Sequence, residues 1–332
     1  MSTGLAIAVF VFSIPLTLIA TVAFAREIDR TGERLGASEG LHGILTALGA
    51  DAPEITSALA ALIAGNSKIG VGVVVGSNVF NLAALLGLSA LVAGYVRIHS
   101  HGLMLNGGVA LAVTALGAAL ILGAIGAVAA TVLILAVLVP YVVLLSVRPG
   151  RMRSLRVGAR VRDFIALAVR EEVSDIRTGE VVPKATRRDL LDLAVSLGGI
   201  VLGSVGMVRA ATDLGHRWDV SDVVIGTLVL AVLTSLPNVL TAVRLAVHGR
   251  GSATVSEAFN SNSLNIVFGV AIPALVFSLG AAGGLVTFSV WWLVGMTVAA
   301  VALSYRGEGV RRSEGAVIVA LYVAFAAVIA TR

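Results

Sequence analysis

The chain alternates long apolar runs with short polar segments, and this pattern predicts a protein that crosses a membrane many times. Each run approaches the roughly 20 residues that an α-helix needs to span a bilayer. The runs are continuous and rich in Leu, Val, Ala and Gly, without the alternation typical of barrel strands. We therefore predict an all-α polytopic fold with about ten transmembrane spans: 4–25, 37–64, 69–95, 103–123, 126–146, 190–209, 221–247, 253–280, 285–304 and 314–331.

One long polar stretch, residues 147–189, divides the chain into two halves. The first half is 1–146, the second is 190–332, and each contains five of the predicted spans. Because five is an odd number, the second half enters the membrane from the opposite side. We therefore predict two inverted five-helix repeats joined by a basic connector, the arrangement found in many alternating-access transporters.

Composition and charge support a lipid environment. Hydrophobic residues make up 58% of the chain and charged residues only 13%, about half the charged share of soluble proteins. A net charge of +5 would suit nucleic acid, but the basic residues lie in the segments between apolar runs, as topology signals do. We predict the lipid bilayer and small inorganic cations as partners, with no nucleic acid and no obligate protein partner. The absence of cysteine excludes disulfides and thiol chemistry.

The distribution of Arg and Lys predicts the orientation of the spans. If the N-terminus is outside, most basic residues, including those of the connector, fall in inside segments. We therefore predict a protein of the inner or plasma membrane with both termini outside. Ala23-Phe24-Ala25 is similar to a signal-peptidase site, but no positive charge precedes the apolar run, so we interpret it as the first span. Within the connector, residues 161–173 form either an amphipathic helix on the anionic inner leaflet or a solvated segment.

Two carboxylates lie inside the apolar span 37–64. Asp51 and Glu54 are three residues apart, so they share one face of a helix, and ionisable groups at this depth usually face a cavity. Pro53 lacks an amide donor and Gly49 loosens the same turn, which predicts an unwound or kinked helix. Its freed carbonyls and the two carboxylates would offer hard oxygen ligands to a metal cation.

A polar stripe recurs in matched places of the two halves. Ser77 and Asn81 lie one turn apart in the third span, where they can face the same point as the carboxylates. The second half aligns with the first without a gap, pairing Asn78 with Asn262, and we predict that Pro237 repeats the break. Its candidate cation ligands are Ser235, Asn238, Ser261 and Asn265. Polar residues and prolines at matched positions of two apolar halves indicate a midplane binding site.

These two segments resemble the α-repeats of the sodium/calcium exchanger family. The family repeat reads roughly Gly-Thr-Ser-x-Pro-Glu followed by Gly-Ser-Asn-x-x-Asn, and here 49–54 reads Gly-Ala-Asp-Ala-Pro-Glu and 76–81 reads Gly-Ser-Asn-Val-Phe-Asn. The second copy reads Thr-Ser-Leu-Pro-Asn at 234–238 and Ser-Asn-Ser-Leu-Asn at 261–265. The resemblance implies ten helices, a central site on the second, third, seventh and eighth of them, and exchange of cytosolic Ca²⁺ against Na⁺.

The chain also departs from the family pattern. Asn238 stands where the second repeat normally has a Glu, Asn265 occupies a position that is acidic in many members, and Asp51 replaces a Ser. One charge has thus moved between the repeats, which leaves two aligned carboxylates. We hypothesise that Glu257, four residues before Ser261 on the same helical stripe, supplies a third; the alternative places Glu257 at the inner mouth of its span.

These features predict a secondary active cation antiporter, with Na⁺/Ca²⁺ exchange as the first hypothesis and no bound cofactor. H⁺ coupling is an alternative because Asp51 and Glu54 are close enough for one of them to hold a proton. His42 is either part of a proton relay or a packing residue. A non-transporting sensor or scaffold descended from an exchanger is another alternative. An enzyme is not expected, because the chain lacks the zinc-protease, nucleophile-elbow and phosphate-loop motifs.

Overall fold

The computed structural model describes residues 1–34, 39–146, 160, 163–168, 187–306 and 308–331. Eleven helices in these ranges carry the architecture, and they are numbered in chain order. They are α1 Thr3–Arg34, α2 Glu39–Ala50, α3 Ala52–Ile63, α4 Ser67–Ala93, α5 Ser100–Ile121, α6 Ala127–Ser146, α7 Arg187–Arg217, α8 Asp222–Val247, α9 Gly251–Leu275, α10 Gly284–Arg306 and α11 Arg312–Ala330.

The predicted all-α polytopic fold is confirmed. Nine of the helices in the described ranges are long and apolar enough to cross a membrane. The remaining predicted span, 37–64, is divided into α2 and α3, of 12 residues each. The main differences from the predicted spans are at α1 and α7, which continue to Arg34 and Arg217 because polar residues extend the helices beyond the apolar run.

The interruption between α2 and α3 follows from Pro53. The helical hydrogen bonds on either side are intact, since the Asp51 amide donates to Ala47 at 2.9 Å and the Ile55 amide donates to Asp51 at 3.1 Å. Pro53 has no amide hydrogen, so the carbonyl one turn earlier, that of Gly49, has no helical donor at this point. The predicted break in the first repeat is therefore present, and it places Asp51 at the turn between the two helices.

The second break, predicted at Pro237, is not formed. The α-helical part of α8, Ala231–Val247, runs through Pro237 without interruption. Its irregular part lies earlier, in a π-helical stretch over Ile225–Leu230. Packing against neighbouring helices lets a membrane helix accommodate a proline, so the same residue need not interrupt both repeats.

Two further π-helical stretches follow the polar stripes. In α4 the stretch is Leu82–Leu88, directly after Asn81, and in α9 it is Val267–Ala271, two residues after Asn265. Such wide turns inside α-helices occur frequently at functional sites. Their matched positions show that α4 and α9 share a local geometry as well as a sequence pattern.

The centre of the fold is formed by α4 and α9. In α4, 94% of the most apolar window is buried, and in α9 78%, whereas the corresponding value for α11 is 22%. Helices with low burial present their apolar surface to lipid. The polar stripes of the two halves therefore lie on the two helices that the rest of the protein encloses most completely.

Contacts between loops show which helix ends lie on the same side of the membrane. A short antiparallel ladder pairs β1, Tyr95–Arg97, with β2, Gly309–Arg311, and joins the α4–α5 and α10–α11 loops. At the start of α1, the Arg217 guanidinium donates to the Met1 carbonyl. Three membrane crossings separate Met1 from Tyr95, so Arg97 and Arg217 lie on opposite sides, as the predicted topology requires.

Only a small part of the connector 147–189 belongs to the described residues. Residues 163–168 are helical, and the Phe164 ring lies 5.6 Å from the His101 ring at the start of α5. The rest of the predicted amphipathic helix over 161–173 lies outside the described residues, and so does the side chain of His42.

Candidate cation site

The two carboxylates of the first repeat lie at the interruption of the second span. Asp51 occupies the turn between α2 and α3, and Glu54 is in the first turn of α3. Both side chains are completely buried. No ion pair joins either carboxylate to a basic side chain within the described part of the chain. A charge on either carboxyl must therefore be balanced by polar groups or by a cation, or the carboxyl must hold a proton.

Asn238 brings the second repeat to these carboxylates. Its side-chain amide donates from Nδ2 to Asp51 Oδ1 at 2.8 Å and to Glu54 Oε1 at 3.1 Å. Asn238 lies on α8, one residue after Pro237, where the family pattern has a Glu. The departure from the pattern thus places a hydrogen-bond donor between two acids, in a position where a third acid would repel them.

Ser261 and Asn81 complete a chain of hydrogen bonds across the two halves. The Ser261 hydroxyl donates to Asp51 Oδ1 at 2.5 Å, and Asn81 Nδ2 donates to Ser261 Oγ at 2.9 Å. All three residues are buried. The structure therefore brings together Asp51, Glu54, Asn81, Asn238 and Ser261 in one cluster, and their role as cation ligands stays a prediction.

A second layer of amides adjoins this cluster. Asn78 Nδ2 donates to the Asn262 carbonyl at 3.0 Å, and Asn262 Nδ2 donates to the Asn78 carbonyl at 3.1 Å. Asn265 Nδ2 donates to Asn78 Oδ1 at 3.2 Å. Sequence reasoning aligned Asn78 with Asn262 but did not include them among the site residues, although two asparagines at matched positions inside a bilayer were a sufficient signal.

Ser235 also reaches the cluster, whereas Ser77 and Glu257 contribute less directly. Ser235 is buried, and its hydroxyl lies beside the Glu54 carboxyl. The Ser77 hydroxyl donates to the carbonyl of Val73 at 2.5 Å, within its own helix. Glu257 is half-buried, and no group of three acidic or histidine side chains among the described residues could hold a metal ion. The structure therefore does not bring Glu257 to the pair, and its role as a third carboxylate stays a prediction.

The unsatisfied atoms around the cluster are all oxygens. Each is buried and has no hydrogen-bond partner: Asp51 Oδ2, Glu54 Oε2, Ser57 Oγ, Asn81 Oδ1, Asn238 Oδ1, Asn262 Oδ1 and Asn265 Oδ1. A buried acceptor without a partner costs free energy, and hard cations bind carboxylate, amide and hydroxyl oxygens. This donor set fits a Ca²⁺ or Na⁺ ion. Ser57, one turn after Glu54, was missed by sequence reasoning, although its spacing of three residues was visible.

The sequence that carries this polar cluster matches a known protein family. A family model described as "Sodium/calcium exchanger protein" matches residues 5–149 and 190–331, which is most of the chain. The chain belongs to the sodium/calcium exchanger family. Among curated relatives, it is 29% identical over 142 residues to the sodium/calcium exchanger MaX1 of Methanosarcina acetivorans, covering 43% of this chain and 41% of that one. The aligned segment thus covers less than half of that exchanger's length.

Two further relatives extend the comparison. The inner membrane protein YrbG of Escherichia coli is 27% identical over 232 residues, covering 70% of this chain and 67% of that one. The human sodium/potassium/calcium exchanger 1 is 36% identical over 84 residues, which cover 25% of this chain and 8% of that one. Among solved structures, the sodium-calcium exchanger NCX_Mj has a similar fold, with a TM-score of 0.61 and 22% identity over 98% of this chain and 99% of that one.

Proposed function

We propose that this protein is a secondary active antiporter that exchanges Na⁺ for Ca²⁺ by alternating access, with the ion bound at the bilayer midplane. One observation carries the proposal. Two buried carboxylates from the first half meet amide and hydroxyl groups from the second half, and the oxygens that lack partners are of the kind that hard cations bind. Membership of the exchanger family and the relatives named above support the same activity.

Charge explains why two ions would exclude one another at such a site. Asp51 and Glu54 together carry two negative charges, which one Ca²⁺ neutralises completely. Two Na⁺ ions would do the same, but they would need the same carboxylate oxygens. A site buried in lipid is stable only when its charge is compensated, so each ion must leave before the other is accommodated.

The two halves provide the moving parts of this proposal. We infer that residues 1–146 and 190–332 act as inverted repeats around a fixed site, joined by the connector 147–189. The long helices α1 and α7 pack against each other, and a Cβ at Gly203 would overlap Thr17. Small residues let the backbones of two membrane helices approach each other closely. We further propose that the protein lies in the inner or plasma membrane with both termini outside. This orientation places most Arg and Lys residues on the inner side.

Calcium flux into proteoliposomes tests the proposal. Purified protein should take up ⁴⁵Ca²⁺ when an outward Na⁺ gradient is imposed, and Glu54→Gln should abolish the uptake because it removes one of two charged ligands. A pH gradient without Na⁺ should drive no uptake. Uptake driven only by the pH gradient would instead support the H⁺-coupled alternative.

A control separates transport from mere binding. If wild-type protein binds Ca²⁺ but transports none under either gradient, a sensor derived from an exchanger becomes the better interpretation. Glu257→Gln belongs in the same assay, because wild-type affinity and transport in that variant would refute its assignment as a third carboxylate.

A further inference from the structure

A second polar network lies between α5, α6 and α9, on the side of α9 that faces away from the carboxylates. Tyr141 on α6 is 97% buried, and its hydroxyl lies 2.7 Å from Asn106 Oδ1 and 2.6 Å from Asn260 Oδ1. Asn106 Nδ2 in turn donates to Ser256 Oγ at 2.7 Å. None of these four residues takes part in the cluster around Asp51, yet Asn260 directly precedes Ser261 in the chain.

Helix α9 therefore carries polar residues on two faces. Ser261 and Asn265 face the carboxylates and Asn78, whereas Ser256 and Asn260 face α5 and α6. An apolar stripe normally fixes how a helix is rotated about its axis. Nearly all of α9 from Gly251 to Ile266 is buried, so no such stripe distinguishes its faces. Hydrogen bonds on both sides must set its rotation instead.

The rotation of α9 about its axis must be set accurately, because neighbouring residues project about 100° apart on a helix. A rotation of α9 by one position would place Asn260 where Ser261 now lies and would remove the 2.5 Å hydrogen bond from Ser261 to Asp51. The network on the opposite side opposes this rotation, since it would pull Asn260 away from the Tyr141 hydroxyl.

Tyr141 is central to the network for a chemical reason. Its hydroxyl carries a single hydrogen, so it can donate to only one of the two amide oxygens that lie next to it. The two amide oxygens therefore compete for this one hydrogen, and no other side chain in the network joins α6 to both α5 and α9.

We propose that Tyr141 is a positioning residue for the cation site, which holds α9 in the rotation that presents Ser261 and Asn265 to the ion. This inference rests on the proposed function, because it assumes that the cluster around Asp51 binds Ca²⁺. The Tyr141 hydroxyl bonds to Asn106 and Asn260, which lie outside the cluster around Asp51. Its effect passes through Asn260 to the next residue of the same helix.

The test compares Tyr141→Phe with Tyr322→Phe. Both changes remove one phenolic oxygen inside the membrane, but Tyr322 contacts only aromatic rings among the interactions described for it. Ca²⁺ binding is measured as the rise in melting temperature of detergent-solubilised protein on adding Ca²⁺ to a chelated sample. The apparent KM and maximal rate of Na⁺-driven ⁴⁵Ca²⁺ uptake are measured in parallel.

We expect Tyr141→Phe to raise the KM for Ca²⁺ by roughly three- to tenfold, the loss in affinity that one interhelical hydrogen bond in a membrane produces. Its Ca²⁺-induced rise in melting temperature should shrink, while Tyr322→Phe behaves as wild type. The inference is overturned if Tyr141→Phe melts at a lower temperature but keeps the wild-type KM and Ca²⁺-induced rise, because the hydroxyl is then only structural.

A second variant tests the inference if Tyr141→Phe does not fold. In Tyr141→Phe/Asn106→Leu/Asn260→Leu the unpaired amides are removed as well, which restores stability when both partners become apolar. If this folded variant binds Ca²⁺ as tightly as wild type, the inference fails; if its KM stays high, the inference stands. A wild-type protein without any Ca²⁺-induced rise contradicts the proposed function itself, and the inference with it.

Discussion

Asn78 and Asn262 exchange hydrogen bonds, each donating its side-chain amide to the backbone carbonyl of the other, at 3.0 and 3.1 Å. The two residues are 184 positions apart and occupy equivalent places in the two repeats. A contact in which residue i binds j and j binds i in the same way marks a two-fold axis. The pseudo-symmetry of the chain therefore passes between α4 and α9, beside the carboxylates.

This reciprocity predicts the outcome of a double-mutant cycle. Asn78→Leu and Asn262→Leu should each lower the free energy of unfolding by about 1 kcal/mol, because each removes one interhelical hydrogen bond. The double variant should lose about the sum, since each side chain donates to a backbone carbonyl that the other substitution leaves in place. Chemical unfolding in detergent measures the cycle, with Asn106→Leu combined with Asn78→Leu as a control pair that should be additive.

A double variant that loses no more stability than either single variant would contradict two separate hydrogen bonds between Asn78 and Asn262. Asn78 also accepts a hydrogen bond from Asn265, so its single variant should be somewhat more destabilising than that of Asn262. The reverse order would indicate that Asn262 makes the more important contact.

Close approach of the two halves at Gly76 provides a second prediction. A Cβ at this position would overlap the backbone of Thr227 in α8, and a backbone cannot move aside as a side chain can. Gly76→Ala should therefore push α4 from α8 and destabilise the protein by about 1–3 kcal/mol. The melting temperature in detergent checks this.

Gly108→Ala is the matched control, because that helical glycine has no atom within 4 Å of its Cβ position. It should leave stability unchanged or raise it slightly, since Ala is the better helix former. Equal effects of the two substitutions would mean that α4 and α8 are less closely packed than the structure shows.

Much of this fold could be predicted from the sequence, because local signals determine it. Apolar runs gave the spans, and Pro53 gave the interruption that presents Asp51 and Glu54. The contact of these acids with Asn238 and Ser261 followed from the aligned repeats. What failed depended on tertiary packing: Pro237 matches Pro53, yet α8 remains helical around it, and the Ser77 hydroxyl binds Val73 in its own helix. Chain spacing alone cannot show which partner a hydroxyl selects.

The position of Asn238 between two acids predicts a metal-dependent change in stability. In Asn238→Asp, the amide that donates to Asp51 and Glu54 is replaced by a third carboxylate. Without Ca²⁺ the variant should be destabilised by about 3–5 kcal/mol, the range observed when a buried charge loses its partner. With saturating Ca²⁺ most of that loss should be recovered, because the added carboxylate becomes a ligand.

Asn106→Asp serves as the control for this prediction. It also places a carboxylate at a buried asparagine, but one outside the cluster around Asp51. It should lose stability to a similar extent without recovery in Ca²⁺. If Ca²⁺ restores both variants equally, the effect is not specific to the site; if it restores neither, Asn238 does not face the bound ion.

The number of carboxylates predicts how transport responds to membrane potential. With two carboxylates in the cluster, one Ca²⁺ and two Na⁺ ions give equally neutral loaded states, so exchange should move no net charge. Ca²⁺ accumulation driven by a fixed Na⁺ gradient should then be the same with and without a potential set by K⁺ and valinomycin. Exchange of three Na⁺ would instead shift the accumulation ratio by about 50-fold per 100 mV, since one charge crossing that potential corresponds to about 2.3 kcal/mol.

Variants of the carboxylates and of Asn238 show whether these residues set the charge of the loaded site. Asn238→Asp adds a third charge beside the first two, so it should make transport dependent on potential, whereas Asp51→Asn should reduce Ca²⁺ uptake because the loaded site no longer balances the ion. If wild-type transport depends on potential and Glu257→Gln removes that dependence, Glu257 belongs to the site after all. Dependence that persists in Glu257→Gln would show that the charge of the loaded site is not set by these carboxylates.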